Sequence, residues 1–393
     1  MSKLKRVKRI LLILICLLGT AVHQAVGGNV VINLRPSYVV PTHGFYNGWN
    51  TSGKPLRTAF SGDIQYTFSS QGHFAYQGAG IGVHSFYAHD LLGTPVSIYL
   101  LQGAPLLQVC KGLRLGYEWN FGLSAGWKNN GTVTVSALNA YINVAALFDL
   151  RISDYWSLMF GPGYTHFSNG DTKFPNGGAN TLNFRIGAKY NLQGNNDEGV
   201  ERIFAPEPHK KAFKDNISYD LTALGGWRAD RFIDDERNLV IDNSAYTLIG
   251  LQFNPSYHFN EYLSLGPSLD LVYDASANRN FNKGVLSHCA VGVSARGEIS
   301  MPIFSVNVGG GYNVLQSGPD LKGFYGIFSL KAFLTEKLYL NVTYRLGQTS
   351  YAHNMMFGIG WRFRKPHQYC ISCNNFIIFA DFLLSYRCES SIT

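Results

Sequence analysis

Residues 113–127 read LRLGYEWNFGLSAGW, and apolar and polar side chains alternate through the whole stretch. The odd positions carry the apolar and aromatic residues Leu113, Leu115, Tyr117, Trp119, Phe121, Leu123, Ala125 and Trp127. The even positions carry Arg114, Gly116, Glu118, Asn120, Gly122, Ser124 and Gly126. Because successive side chains of a β-strand point to opposite faces, this pattern predicts one long strand with a single apolar face.

The same alternation recurs at residues 138–150 and 338–346. Such long strands with one apolar face are typical of transmembrane β-barrels, in which about 9 to 11 residues cross the bilayer and face lipid and lumen in turn. A sheet in lipid must close, because an open edge would leave backbone groups without hydrogen-bond partners. We therefore predict an all-β fold, a transmembrane antiparallel β-barrel. The alternative is a soluble β-sandwich, whose strands are usually shorter.

Composition narrows the class of protein further. Of the 393 residues, 46% are apolar, 14% are aromatic and 15% are charged, which excludes a disordered protein. The formal net charge is +8, but five positive charges lie within the first nine residues. The remainder of the chain is only weakly basic, so the sequence does not indicate a nucleic-acid partner.

The N-terminus resembles an export signal. The five basic residues precede the apolar run from Ile10 to Leu18, and small residues follow as far as Gly28. This order predicts a signal peptide over residues 1–27 and an exported mature chain.

The cysteines outside this segment are few and scattered. They are Cys110, Cys289, Cys370, Cys373 and Cys388, an odd set that cannot form a disulfide framework. The pair Cys370 and Cys373 has metal-ligand spacing, but no second pair of cysteines or histidines completes a zinc site. We expect no metal and no cofactor.

The strand count predicts two halves. Eight candidate strands occupy residues 28–192, and eight more occupy residues 216–363. Residues 193–215 between them have the composition of a polar linker, and residues 364–393 form a tail. The preferred interpretation is two eight-stranded barrels in tandem, and the alternative is one larger barrel of about 16 strands.

Polar residues interrupt the apolar wall at one place. Along the strand that follows Asp154, even positions face lipid, and these include His166 and Ser168. On the returning strand Asn180 is in line with Leu182 and Phe184, so it faces outward as well. Long loops flank this end, which indicates the extracellular side. Unpaired polar groups against hydrocarbon are costly, so the cluster is a candidate functional site.

The residue types in this cluster indicate a chemistry. A histidine beside a serine hydroxyl can take its proton, and a third group on the other ring nitrogen can fix the tautomer; this arrangement serves nucleophilic acyl transfer. An isolated histidine–serine pair more often binds headgroups or loop backbone. The interpretation therefore depends on what surrounds the pair.

The surrounding motif carries a family resemblance. His166-x-Ser168-Asn169, followed by Pro175-Asn176-x-Gly178-x-Asn180, resembles the lipid A 3-O-deacylase (PagL-type) family, and residues 113–192 resemble its acyloxyacyl hydrolase-like branch. The resemblance implies a carboxylic ester hydrolase of the outer membrane that acts on lipid A of lipopolysaccharide. It also implies His166 as the base, Ser168 as the nucleophile, and Asn169 and Asn176 in oxyanion stabilisation.

One position departs from the family pattern. The best-known members carry a glutamate where this chain has Asn180, and an amide holds the tautomer without offsetting the imidazolium charge. Asp171 in the adjacent loop is an alternative source of that charge. The other candidate function is a non-catalytic barrel, structural or pore-forming, and Asp274 replaces the base in a similar stretch, Tyr273–Ser276, of the second half. The sequence leaves the oligomeric state open.

Overall fold

A computed structural model defines the two halves of the chain. It describes residues 28–69, 75–134, 136–192, 194, 216–233, 238–260, 262–277, 285–300, 304–316, 323–335, 337–347 and 353–363. The predicted signal peptide, almost all of the predicted linker and the predicted tail lie outside the described residues. The chain divides into two compact units, and each contains one closed barrel.

The first barrel is built from consecutive antiparallel strands that close through the pairing of its first and last strands. In chain order they are β1 Gly28–Val39, β2 Thr58–Ser69, β3 Tyr76–Ser85, β4 Gly93–Cys110, β5 Leu113–Trp127, β6 Leu138–Arg151, β7 Trp156–Ser168 and β8 Ala179–Asn191. Two short helices, Gly44–Asn47 and His89–Leu92, lie in loops at the end of the barrel where β7 finishes.

The second barrel repeats the architecture. Its strands are β9 Ile217–Ile233, β10 Leu239–His258, β11 Leu263–Asp274, β12 Cys289–Ser300, β13 Phe304–Gln316, β14 Phe324–Phe333, β15 Leu338–Gly347 and β16 Asn354–Arg362, with a short helix at Val285–His288. The pairing of β9 with β16 closes it. Two eight-stranded barrels are thus confirmed, and the single barrel of about 16 strands is wrong. Among the described helices none is long and apolar enough to span a membrane.

The outer wall of the first barrel is apolar, as the alternation predicts. On β8, for example, Leu182, Phe184 and Ile186 are between 46% and 54% exposed, whereas the intervening Asn183 and Arg185 are buried inside. A soluble sandwich would bury such a row against a second sheet. An exposed apolar wall on a closed sheet is the surface that a bilayer covers.

Charged side chains fill the interior of each barrel. In the first, Arg35 pairs with Asp63 and Arg185 pairs with Glu118, each at 2.5 Å. In the second, Asp220 pairs with Lys331 at 2.7 Å and with Arg362 at 2.6 Å, and Glu298 joins the same network. Barrels of eight strands are just wide enough for side chains to fill, so these networks occupy the lumen.

Candidate active site

The candidate site lies on the outer wall of the first barrel, where β7 and β8 approach the long loops. His166 pairs with Asn180 in the register of the two strands. Tyr164 is 42% exposed and His166 and Ser168 are half-buried, while Thr165 and Phe167 are buried on the opposite face. His166, Ser168 and Tyr164 therefore share the lipid-facing row of one strand.

A chain of hydrogen bonds joins the three predicted residues. The Nδ1 of His166 lies 2.6 Å from Oδ1 of Asn180, and its Nε2 lies 2.9 Å from Oγ of Ser168. An amide oxygen only accepts, so Nδ1 must carry the proton. The Nε2 lone pair is then free to accept the serine proton, which is the tautomer that a general base requires.

Two further hydroxyls hold the Asn180 amide. Tyr164 donates its hydroxyl to Oδ1 of Asn180 at 2.7 Å, and Nδ2 of Asn180 donates to Oγ1 of Thr42 at 3.1 Å. Sequence reasoning placed Tyr164 on the same outward row but gave it no role. It missed Thr42 altogether, because this residue belongs to the distant loop between β1 and β2.

The loop between β7 and β8 packs against the serine and histidine. Gly178 has a φ of +60°, and a Cβ added there would lie 2.7 Å from the carbonyl oxygen of Phe167 and 3.8 Å from Cε1 of His166. Glycine is the residue that accepts both the left-handed backbone and the close approach. The Tyr46 hydroxyl donates to the Gly178 carbonyl at 2.5 Å and so ties this loop to the one between β1 and β2.

The two asparagines assigned by resemblance meet at the start of the same loop. The backbone N–H of Asn169 donates to Oδ1 of Asn176 at 3.1 Å. Asn169 directly follows Ser168, so this contact fixes the loop beside the serine. Their part in oxyanion stabilisation stays a prediction.

Asp171 does not occupy the supporting position beside the histidine. Both ring nitrogens of His166 already have partners, Asn180 on one and Ser168 on the other. Asp171 is buried in the loop with a φ of +60°. The geometry thus assigns the support of the imidazole to the Asn180 amide.

The similar stretch in the second barrel is arranged differently. Asp274 is buried inside the barrel, where Arg228 donates to it at 2.9 Å and Ser276 at 2.6 Å. It therefore does not stand where His166 stands, and the parallel drawn from sequence is wrong. The strands that match β7 and β8 in order are β15 and β16, and their described outward residues are apolar, including Leu340, Leu346, Phe357, Ile359 and Trp361.

Metal ligands do not group in the described part of the chain. Among those residues no three histidine, cysteine, aspartate or glutamate side chains lie close enough to hold an ion. The chemistry available at the candidate site is accordingly that of a hydroxyl nucleophile, an imidazole base and an amide.

Comparison with known families finds a relative for the second barrel. The family model described as the C-terminal domain of acyloxyacyl hydrolase matches residues 217–365. This match confirms the predicted relationship to the PagL-type family, and this part of the chain is an acyloxyacyl hydrolase C-terminal domain. It lies outside residues 113–192, where the motif resemblance is strongest. No curated protein matches the chain.

Solved structures give only distant likenesses. The translocator domain of the autotransporter NalP from Neisseria meningitidis is 9% identical, with a TM-score of 0.19 over 87% of this chain and 90% of that one. The FrpB iron transporter from the same species is 11% identical, with a TM-score of 0.21 over 86% and 70%. The outer-membrane assignment rests instead on the closed, apolar-walled barrels and on the family match. The protein is an outer-membrane β-barrel protein with an acyloxyacyl hydrolase-like domain.

Proposed function

We propose that the first barrel is a serine esterase that removes an ester-linked acyl chain from lipid A of lipopolysaccharide. One observation carries the proposal: the hydrogen-bonded chain from Asn180 through His166 to Ser168 stands on a lipid-facing wall. A polar chain in this order has the geometry of an activated nucleophile. The family match of the second barrel supports a hydrolase of the acyloxyacyl class.

The proposed reaction has two halves. His166 takes the proton of Ser168 as the hydroxyl oxygen attacks the ester carbonyl carbon, and the same proton then goes to the departing sugar oxygen. The acyl group remains on Ser168 as an ester. Water attacks this ester while His166 accepts its proton, and the acid leaves as the proton returns to Oγ of Ser168.

The position of the site favours a lipid substrate. The register places Ile142 of β6 beside His166 and Val144 beside Tyr164, and Val144 is 53% exposed. An acyl chain in the outer leaflet would lie along this apolar wall, with its ester near the headgroup boundary where β7 ends. We assign Asn169 and Asn176 to the loop that would face the developing oxyanion.

A non-catalytic role fits the second barrel better than the first. Its interior is filled by the network of Asp220, Glu298, Lys331 and Arg362, which disfavours a pore. The described outward residues of β15 and β16 offer no nucleophile. We propose that this barrel is structural and that the ester chemistry belongs to the first.

Mass spectrometry of lipid A from a Gram-negative host tests the proposed function. Cells that produce the protein should show lipid A lighter by one ester-linked acyl chain. Cells without it, and cells that produce Ser168→Ala at equal abundance in the outer membrane, should show the full-mass species. Unchanged lipid A in cells with correctly inserted wild-type protein would contradict the assignment.

Replacement of the amide tests the departure from the family pattern. The Asn180→Glu variant should release fatty acid from purified lipopolysaccharide at least as fast as the wild type, because a carboxylate both accepts the Nδ1 proton and offsets the imidazolium charge. The Asp171→Ala variant is the matched control and should leave the rate unchanged. Loss of activity in folded Asn180→Glu, or in Asp171→Ala, would show that the support of His166 is misassigned.

A further inference from the structure

Tyr164 is the one side chain at the site whose polar group the proposed reaction does not use. It lies two residues before His166 on the same outward row, and its hydroxyl is 2.7 Å from Oδ1 of Asn180. The same oxygen accepts from His166. The phenol and the imidazole are therefore two donors on one amide oxygen.

An amide, unlike a carboxylate, has two ends that can face the imidazole. If the Asn180 side chain turned over, its NH₂ group would face Nδ1 of His166 and donate to it. The proton would then reside on Nε2, and Nε2 could no longer accept the proton of Ser168. A site that uses asparagine in this place needs a device that keeps the carbonyl oxygen toward the histidine.

Thr42 cannot supply that selection. Its aliphatic hydroxyl accepts from Nδ2 of Asn180 at 3.1 Å, and it could equally donate to an oxygen in the same place. It fixes the position of the amide without fixing which end is which.

Tyr164 can supply the selection because of where its proton goes. In the described part of the chain, the only hydrogen-bond partner of its hydroxyl is Asn180. With the amide turned over, the hydroxyl would have to accept from NH₂, and its own proton would point along the apolar wall without an acceptor. Burying an unmade donor costs free energy, so the observed orientation is favoured.

We propose that Tyr164 is a positioning residue that sets the tautomer of His166 by holding the Asn180 carbonyl toward it. The consequence for catalysis rests on the proposed function, whereas the tautomer itself does not. In the family pattern a carboxylate at this position would need no such partner, since it presents an acceptor in either orientation.

Nuclear magnetic resonance of the full-length protein in detergent tests the tautomer directly. With ¹⁵N-labelled histidine, and with His166 assigned by its absence in His166→Ala, the ring nitrogen shifts report which nitrogen carries the proton. On the neutral imidazole the wild type should show the Nδ1–H form. Tyr164→Phe should move a measurable share to the Nε2–H form. Tyr164→Phe combined with Asn180→Asp should restore Nδ1–H, because a carboxylate has no donor to offer.

A matched control and a rate measurement complete the test. Tyr38→Phe removes the hydroxyl of another outward tyrosine, on β1 beside Leu182, and should leave the spectrum unchanged. For ester release, Tyr164→Phe should lower kcat about tenfold with little change in KM, and Asn180→Asp should recover most of that loss.

The outcomes separate this proposal from the proposed function. A Tyr164→Phe spectrum that keeps the wild-type Nδ1–H form overturns the role of Tyr164, even if the protein is a lipid A esterase. A tautomer shift that only Asn180→Asp reverses supports it, even if no ester is released and the proposed function fails.

Discussion

The Ser168→Ala variant is expected to release fatty acid from lipopolysaccharide slower than the wild type by roughly three to six orders of magnitude. Ser168 supplies the attacking oxygen, and His166 at 2.9 Å has no other proton to remove once the hydroxyl is gone. Residues that act as one unit lose almost the whole effect when either is removed, so His166→Ala should fall to a similar level. The measurement is the initial rate of fatty-acid release from purified lipopolysaccharide in detergent.

Folding is controlled within the same strand. Ser157 also lies on β7, but its side chain is buried on the inner face, so Ser157→Ala should keep the wild-type rate. Equal heat-modifiability on gels would show that all variants form the barrel. A folded Ser168→Ala that retains wild-type release would show that another nucleophile acts.

The second large effect concerns stability: Arg185→Ala should destabilise the first barrel by about 3–5 kcal/mol. Arg185 is fully buried and uses all three nitrogens, pairing with Glu118 at 2.5 Å and donating to Asn33 and Gln65 at 2.8 Å each. Its removal leaves the buried Glu118 carboxylate without its charged partner. Urea unfolding in lipid vesicles, followed by tryptophan fluorescence, measures the loss.

Two companion variants show whether the unpaired charge is the cause. Arg185→Met combined with Glu118→Leu removes both charges and should recover most of the stability. Arg151→Ala breaks an exposed pair with Asp154 and should cost no more than about 1 kcal/mol. The account of the interior fails if Arg185→Ala costs no more than Arg151→Ala.

Much of the fold follows from the period of two in the sequence. The predicted strand at residues 113–127 coincides with β5, and those at residues 138–150 and 338–346 each end one residue before β6 and β15 do. Lipid on one face and a filled interior on the other impose the alternation, so parity alone assigns each side chain to a face. The outward position of His166 on β7 followed from the same rule.

Parity also contained information that the motif comparison overlooked. On β11 the outward residues Leu265, Leu269 and Leu271 are at odd positions, so Asp274 had to point inward. The comparison with residues 165–168 matched residue types without regard to strand order. The structure corrects it because Asp274 pairs with Arg228 inside the barrel.

Contacts between distant parts of the chain could not be foreseen. Thr42 reaches Asn180 across 138 residues, and Tyr46 reaches Gly178 across 132. Nothing in the local pattern of residues 41–56 indicates that this loop packs over the end of β8. The interior pairs, such as Arg185 with Glu118, depend in the same way on which strands close the barrel.

Covalent labelling of the nucleophile tests the central claim most directly. A fluorophosphonate with a long alkyl chain loses fluoride to an activated serine and leaves a stable phosphonyl ester. Incubation with the folded wild type, followed by intact-mass and peptide mass spectrometry, should give one adduct, located on Ser168 and lost in Ser168→Ala. An adduct on a different serine, or none on a folded protein, would contradict the assignment of Ser168, His166 and Asn180 as an esterase site.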